Sequence, residues 1–346
     1  MRFAANRLME PVTHALASLA LGRAGLGRVT RLAAPMLLVS GLAADLDWIS
    51  YAWGAPGFLV WHRTASHSLL GTAAIAAGVA AGFSILGRQR RNASRPMRFL
   101  PALAVCAAGA GIHLLLDLTN SYGVKLLWPF SGRWFAWDLS EAVDPGLLLI
   151  LLAGLLLPGL LNLITEEIGA RAKRRPGERG AIIALALVAL YIGGRAVLHA
   201  RAGVLLGSHI YREEEPIRAG AFPTLSPLLW RGVVETETAL HEVEAPLSPD
   251  APFDPRTARS RFKPEYSQAL EQAIGSDAAR AFLAFARFPL ARVEPAGDGW
   301  EVRIRDLRFV PESGTPNSTA IVAVILVNAR GEITSSALEF ESSATR

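Results

Sequence analysis

The feature that most constrains this chain is a series of long apolar runs before about residue 201. A membrane-spanning helix needs about 20 mostly apolar residues. The runs that approach this length lie at 32–49, 66–86, 99–118, 146–164 and 181–198. A shorter run at 11–21 predicts an interfacial or half-buried helix with Pro11 in its first turn. The sequence therefore predicts a polytopic α-helical membrane domain with about five spans plus a short N-terminal helix.

The composition changes after about Arg201. Up to that residue the chain has 20 Lys and Arg against 10 Asp and Glu, and beyond it 15 against 20, so the net charge changes from +10 to −5. The second part begins with a proline-punctuated linker at 216–227. Strand patterns follow at 229–240, 300–309 and 320–327, and a helical pattern lies at 262–288. It predicts a small, mostly antiparallel α+β domain without a catalytic motif, and domains at 1–201 and 202–346.

Basic residues predict the orientation in the membrane, because Lys and Arg are enriched in cytoplasmic loops. They cluster in two loops, as Arg88, Arg90, Arg91, Arg95 and Arg98, and as Arg171, Lys173, Arg174, Arg175 and Arg179. Alternation then places the C-terminal domain on the outer, periplasmic side of a bacterial-type inner membrane. Since the basic residues occupy short loops, no nucleic-acid partner is expected. Membrane lipid is the expected environment, and no protein partner of the C-terminal domain can be named.

The N-terminus and the single cysteine add two exclusions. Thr13 and His14 interrupt the first apolar run, which lacks a convincing cleavage site, so we expect this segment to be retained. Cys106 lies inside an apolar run. The chain therefore has no intrachain disulfide and no thiolate metal cluster.

Two histidines, His62 and His67, stand between apolar runs in the stretch 61–68. Ionisable groups at the edge of hydrocarbon are costly and usually functional, so a metal ion is the expected partner. The alternative is a pair of interfacial histidines hydrogen-bonded to the backbone. Ser66 is predicted to be the N-cap of the helix that follows.

Other histidines and carboxylates fall on the same predicted outer side. His113 and Asp117 are four residues apart and lie on one helix face, which suits a shared ion or a simple ion pair. Asp45 and Asp47 are two apart, which on a helix points them in roughly opposite directions, so one is expected to bind the ion while the other caps or orients. An extended segment would present both, and the alternative to ligation is a solvated helix end. His14 is either a ligand or a satisfied core residue.

The remaining acidic candidates have open roles. Asp144 precedes Pro145, which favours capping of a helix N-terminus. Asp138 is expected to be a loop residue, a residue that orients a ligand, or a metal ligand itself. Imidazoles and carboxylates without cysteine suit Zn, with Mn or Fe as alternatives, in a hydrolytic site. The predicted ligands exceed what one tetrahedral ion needs, so one or two ions are expected; they are His14, Asp45, His67, His113 and Asp117.

The predicted catalytic residues are His62, Arg63 and Asp47. Arg63 stands beside the first histidine, where its guanidinium suits bidentate binding of a phosphate. Its alternative role is a topology signal or headgroup anchor.

These motifs resemble the YdjM-type, LexA-regulated, membrane-bound metal-dependent hydrolases. The resemblance covers roughly the first 150 to 200 residues. It is carried by the motifs at residues 10–16, 45–47 and 62–68, and by the motif at 113–117 followed by the one at 120–123. The order His, Asp, His, His-x-x-x-Asp is also distantly similar to zinc-dependent phospholipase C, which implies phosphodiester hydrolysis on a lipid-like substrate.

The expected function is a membrane-embedded hydrolase that acts on a phosphoester or other ester through metal-activated water. Two alternatives stay open. A metal or solute transporter would line a path with the same ligands, and would have charged groups at mid-membrane. A non-catalytic protein would use the metal as a staple that holds the helices for an outer binding domain.

Overall fold

A computed structural model describes residues 2–89, 98–167, 177–309 and 319–342. Most of the arginines and the lysine that predict the cytoplasmic loops, at 90, 91, 95 and 171–175, lie outside the described residues. The orientation of the chain in the membrane therefore stays a prediction.

Four helices among the described residues are long and apolar enough to cross a membrane. They are α4 (Leu69–Gln89), α5 (Phe99–Thr119), α6 (Pro145–Glu167) and α7 (Glu178–Gly207). Helix α5 has the largest buried share of the four, so it is the central helix of this part. These helices confirm the predicted polytopic helical domain.

The first predicted span, at 32–49, is not one long helix. It contains α2 (Ala33–Leu42), followed by a 3-10 segment (Ala44–Trp53) and the short helix α3 (Gly54–Trp61). The 10 residues of α2 extend about 15 Å, half the thickness of the hydrocarbon core. Gly54 has a φ of +73°, a conformation that glycine adopts without strain.

The N-terminal helix is longer than predicted. Helix α1 covers Arg2–Arg23, and Pro11 lies inside it instead of in its first turn. A proline inside a helix removes one backbone hydrogen bond. The later part of α1 contributes Ala17 and Ala20 to an apolar cluster with residues of α6 and α7, including Leu151.

Close contact between α2 and α5 depends on glycines. A Cβ on Gly109 of α5 would lie 2.7 Å from the carbonyl oxygen of Leu37 and would also collide with Ser40. Around this contact Met36, Leu37 and Cys106 are buried. Small residues allow helices in lipid to approach closely, and here they bring the backbone of α2 to the face of α5.

The C-terminal part has two four-stranded antiparallel sheets. The first has the strands β1 (Arg218–Pro223), β2 (Leu229–Glu235), β3 (Ala239–Pro246) and β4 (Arg259–Phe262), and the second has β5 (Pro289–Ala296), β6 (Gly299–Asp306), β7 (Thr319–Val327) and β8 (Ile333–Ser342). In each sheet the strands lie in the order in which they follow in the chain. Two short helices, α8 (Gln268–Ile274) and α9 (Asp277–Leu283), lie between the sheets in sequence. This confirms the predicted mostly antiparallel α+β domain.

One detail of that domain was predicted wrongly, because the proline-punctuated linker contains β1, which ends at Pro223. The helical pattern at 262–288 forms two helices, α8 and α9. Ser276 caps the second by accepting a hydrogen bond from the backbone N–H of Ala279.

The chain divides into two compact units that are not continuous in sequence. Among the residues that the structure describes, one unit lies within 4–47 and 63–196, and the other lies within 2–3, 48–62 and 197–342. In the second unit, Tyr51 stacks on Phe340 of β8 at 4.7 Å between ring centroids, and Phe58 lies 5.9 Å from the same ring. The predicted boundary at residue 201 stays a prediction.

We expect Gly109→Ala to lower the free energy of unfolding by about 1–3 kcal/mol, the usual cost of overpacking a close contact. Gly111→Ala is the matched control, because a Cβ there meets nothing within 4 Å. It should be neutral or slightly stabilising. Unfolding both variants from mixed micelles with sodium dodecyl sulfate measures the difference, and equal effects would contradict this account of the contact.

Candidate metal centre

The buried carboxylate of Asp117 is the hub of a polar cluster at the C-terminal end of α5. Its Oδ2 lies 2.9 Å from Nε2 of His67 and 3.1 Å from Nε2 of His113. Its Oδ1 lies 3.0 Å from a guanidinium nitrogen of Arg63 and 3.4 Å from Nε2 of His14. All five side chains are buried. The structure therefore gathers four of the predicted site residues around a fifth.

Three parts of the chain supply these side chains. The four-residue spacing on α5 places His113 and Asp117 on one face, as their sequence spacing predicts. Helix α1 supplies His14, whose ring stacks on His113 with the centroids 3.9 Å apart. The segment between α3 and α4 supplies Arg63 and His67.

The hydrogen bonds of the two central imidazoles assign their tautomers. Nδ1 of His113 lies 2.9 Å from the carbonyl oxygen of Gly41, and Nδ1 of His67 lies 3.0 Å from Oδ2 of Asp47. Because carbonyl and carboxylate oxygens only accept, both rings donate from Nδ1. In the neutral rings, Nε2 then carries the lone pair. A metal-binding histidine is usually oriented in this way.

The two Nε2 atoms lie 3.1 Å apart, and both are close to Asp117. Three electron-rich atoms this near to one another repel unless a positive charge is present. Ligands of a tetrahedral zinc ion, bound at about 2.0–2.1 Å, lie roughly 3.3 Å from one another. The observed distances fit a small cation of this kind.

A proton is the alternative positive charge. Burial lowers the pKa of His67, but Asp117 and Asp47 raise it, to about 9 overall. In a metal-free site His67 therefore holds a proton between the two carboxylates. The carboxylates around His67 therefore favour a positive charge at this position.

Asp45 extends the cluster toward a second position. Its Oδ1 lies 3.7 Å from Nε2 of His113, and its buried Oδ2 has no hydrogen-bond partner among the described residues. Two groups of three residues have ligand atoms within 4.8 Å of one another, and they share His113: His14 with His113 and Asp117, and Asp45 with His67 and His113.

The formal charge of the site also fits a divalent ion. The cluster contains three carboxylates, those of Asp45, Asp47 and Asp117, and among the described residues the guanidinium of Arg63 pairs with one of them, Asp117. With neutral imidazoles the set carries a formal charge of −2. Buried charges are stable only when they are paired or bind a metal, so the donor set and its charge both fit the predicted metal.

Asp47 orients other residues of the site. Its Oδ2 accepts hydrogen bonds from the backbone N–H of Arg63 and the hydroxyl of Ser66, each at 2.8 Å, besides contacting His67. The predicted N-cap role of Ser66 is therefore wrong. Ser68 caps α4 instead, because its hydroxyl accepts from the backbone N–H of Gly71 at 2.9 Å.

Arg63 is held tightly. Its φ is +55°, a conformation that costs a residue other than glycine about 1–3 kcal/mol and persists only where the surroundings enforce it. Its carbonyl accepts from the backbone N–H of Lys125 at 3.0 Å, and its guanidinium lies 5.5 Å from the centroid of the Tyr122 ring. In this structure Arg63 neutralises Asp117, and its predicted phosphate contact stays a prediction.

His62 has aromatic neighbours. Its ring stacks on Phe58 at 4.3 Å and lies 4.8 Å from the ring of Trp48. The groups of potential metal ligands among the described residues do not include it. Its predicted catalytic role stays a prediction.

Asp144 caps a helix, as predicted. Its Oδ1 accepts hydrogen bonds from the backbone N–H groups of Gly146 and Leu147, at 2.9 and 3.1 Å, at the start of α6. Asp138 is buried with a φ of +56°.

Two residues of α7 that the sequence analysis missed hold the loop before α6. The hydroxyl of Tyr191 donates to Asp144 at 3.0 Å, and Nε of Arg195 donates to the carbonyl oxygen of Leu139 at 2.7 Å. A signal was present, because Arg195 is the one charged residue in the apolar run 181–198. Such residues are usually functional.

The fold and the site define a multi-pass membrane protein with a buried His and Asp cluster that can hold a metal ion. The chain belongs to the YdjM inner membrane protein family, whose model matches residues 9–202. This confirms the resemblance seen in the motifs. The similarity to zinc-dependent phospholipase C stays a prediction.

The C-terminal residues 268–345 match a second family model, the YfhP C-terminal alpha/beta plait domain. The chain is also similar to the uncharacterized protein YfhP of Bacillus subtilis (strain 168), with 26% identity over 198 residues. The match covers 57% of this chain and 55% of that protein, so the chain spans about half the length of this relative. No solved structure matches the chain.

We expect Asp47→Asn to weaken metal binding by about 10–100-fold, the usual effect of losing a carboxylate that orients a ligand histidine. A chelator competition titration measures the dissociation constant. Asp298→Asn, at an exposed turn between β5 and β6, is the matched control and should bind as the wild type does. An unchanged affinity of Asp47→Asn would contradict the orienting role.

Proposed function

We propose that this protein is a membrane-embedded, metal-dependent hydrolase of a phosphoester or other ester in a lipid-like substrate. The observation that carries the proposal is the convergence of Nε2 of His67, Nε2 of His113 and Oδ2 of Asp117 at 2.9–3.1 Å from one another. The Nδ1 atom of each ring faces a hydrogen-bond acceptor, so the metal-binding atoms are preorganised.

The residues of the cluster have three different roles: binding the metal, orienting a ligand and compensating charge. His67, His113 and Asp117 present ligand atoms, with His14 and Asp45 completing the two groups. Asp47 keeps His67 in the metal-binding tautomer, and Arg63 compensates the charge of Asp117. A divalent ion, with Zn preferred and Mn or Fe as alternatives, would lower the pKa of a water molecule and stabilise charge on a phosphoryl or acyl oxygen.

The number of ligands supports an enzyme over a structural metal site. Structural zinc sites use four protein ligands, whereas catalytic sites use three and keep one position for water or substrate. Each of the two groups has three residues, and the groups share His113. This arrangement suits one ion with an open position, or two neighbouring ions.

The position of the ligands on α5 supports an enzyme over a transporter. His113 and Asp117 lie in the last two turns of α5, which ends at Thr119. A transport path would be expected to have its charged groups at mid-membrane. With the orientation predicted from the basic loops, the site acts on lipid at the outer, periplasmic face of the inner membrane.

A metal staple is the second candidate function. The observation that favours it is that the ligand groups join α1, α5, the 3-10 segment and the segment before α4. An ion bound there would hold these parts together without any reaction.

Metal analysis and phospholipid hydrolysis, measured on the same purified samples, test the proposal. Wild type should hold one or two ions and should hydrolyse lipid in vesicles of phosphatidylethanolamine and phosphatidylglycerol. His67→Ala and Asp117→Ala should lose most of the metal and at least about 100-fold in turnover, since removing a ligand should exceed the 10–100-fold effect of losing its orienting partner.

His209→Ala is the control, because this histidine contacts Leu205 and Phe253 in the other unit. It should keep both metal and turnover. Metal lost from the ligand variants, when the wild type itself hydrolyses nothing, would favour the staple. Unchanged metal in both ligand variants would contradict the metal site itself.

A further inference from the structure

A small cavity adjoins the metal cluster. His14 and Asp117 form part of its wall, and Ser140, Glu141 and Asp144, from the loop before α6, form another part. Its volume is about 20 Å³, and a water molecule needs at least about 10–15 Å³ measured in this way. The cavity therefore has room for water directly beside the predicted ligands.

Three carboxylates, those of Asp117, Glu141 and Asp144, line this cavity. Asp117 contacts three imidazoles and the guanidinium of Arg63. Asp144 accepts two backbone N–H groups at the start of α6 and the hydroxyl of Tyr191. Asp117 therefore belongs to the ligand cluster, and Asp144 is committed to the start of α6.

Glu141 is different because it is exposed, whereas the other two carboxylates are buried. An exposed carboxylate on the cavity wall can take a proton from a molecule inside and release it to bulk water. Glutamate is one of the common general bases in enzymes.

The backbone around Glu141 is fixed on both sides. Before it, the backbone N–H of Ser140 donates to the carbonyl oxygen of Thr119 at 3.0 Å, and the two hydroxyls lie 2.6 Å apart. Thr119 is the last residue of α5, the helix that carries Asp117. After it, Asp144 is anchored to α6. The loop therefore holds Glu141 at a defined place relative to the ligands on α5.

We propose that Glu141 is the general base of the hydrolysis, a role that rests on the proposed function. A water molecule in the cavity attacks the phosphorus or acyl carbon through its oxygen. As that bond forms, one O–H bond of the water breaks and the proton moves to the carboxylate of Glu141. The ester bond to the leaving alcohol breaks, and its electron pair stays on the alkoxide oxygen. Glu141 then gives its proton to this oxygen, which releases the alcohol and restores the Glu141 carboxylate.

The test compares Glu141→Gln with the wild type in metal affinity and in vesicle hydrolysis across pH. Glutamine has the same size but cannot accept the proton. We expect turnover to fall by about 10²–10⁴-fold, the typical contribution of a general base, and the acidic limb of the pH profile to disappear. The metal dissociation constant, measured by chelator competition, should stay within about twofold, and Glu141→Asp should recover part of the turnover.

Glu237→Gln, at an exposed position between β2 and β3, is the matched control and should hydrolyse as the wild type does. Turnover of Glu141→Gln equal to that of the wild type would overturn the role of Glu141 and leave the hydrolase intact. A large loss of metal affinity would overturn it too, because Glu141 would then be a ligand. A metal-loaded wild type that hydrolyses nothing would overturn the proposed function and this role with it.

Discussion

The burial of one carboxylate, Asp117, is the constraint on which the site depends. A carboxylate away from water is tolerated only when charges and hydrogen bonds replace its hydration. Here a guanidinium and three imidazoles surround it, and they come from α1, α5 and the segment that precedes α4. These parts of the chain must therefore assemble together, because without any one of them the buried carboxylate loses a partner and the folded state is destabilised.

The packing of apolar helices provides the precision that this cluster needs. Gly109 lets the backbone of α2 approach α5, and the same approach brings the carbonyl oxygen of Gly41 to 2.9 Å from Nδ1 of His113. A larger residue would move that carbonyl and release the tautomer of His113. Gly109, which binds no metal, thus helps to determine which ring nitrogen of His113 faces the site.

The sequence predicts those features that depend on local spacing. The apolar runs predict the four long helices, and the four-residue separation of His113 and Asp117 places them on one face. The run at 32–49 was misread because hydropathy does not register the change to a 3-10 segment at Ala44. Glu141 and Tyr191 escaped because their roles arise from contacts between distant segments, and no spacing along the chain encodes those contacts.

Metal binding and assembly are difficult to separate in this site. With neutral imidazoles the carboxylates exceed the guanidinium by two charges, and the raised pKa of His67, about 9, shows that even a proton is retained there. One proton compensates only half of that excess, whereas a divalent ion compensates all of it. An ion would therefore stabilise the folded site as well as serve the reaction. Turnover distinguishes an enzyme from a staple here, because loss of the metal would weaken the structure in both cases.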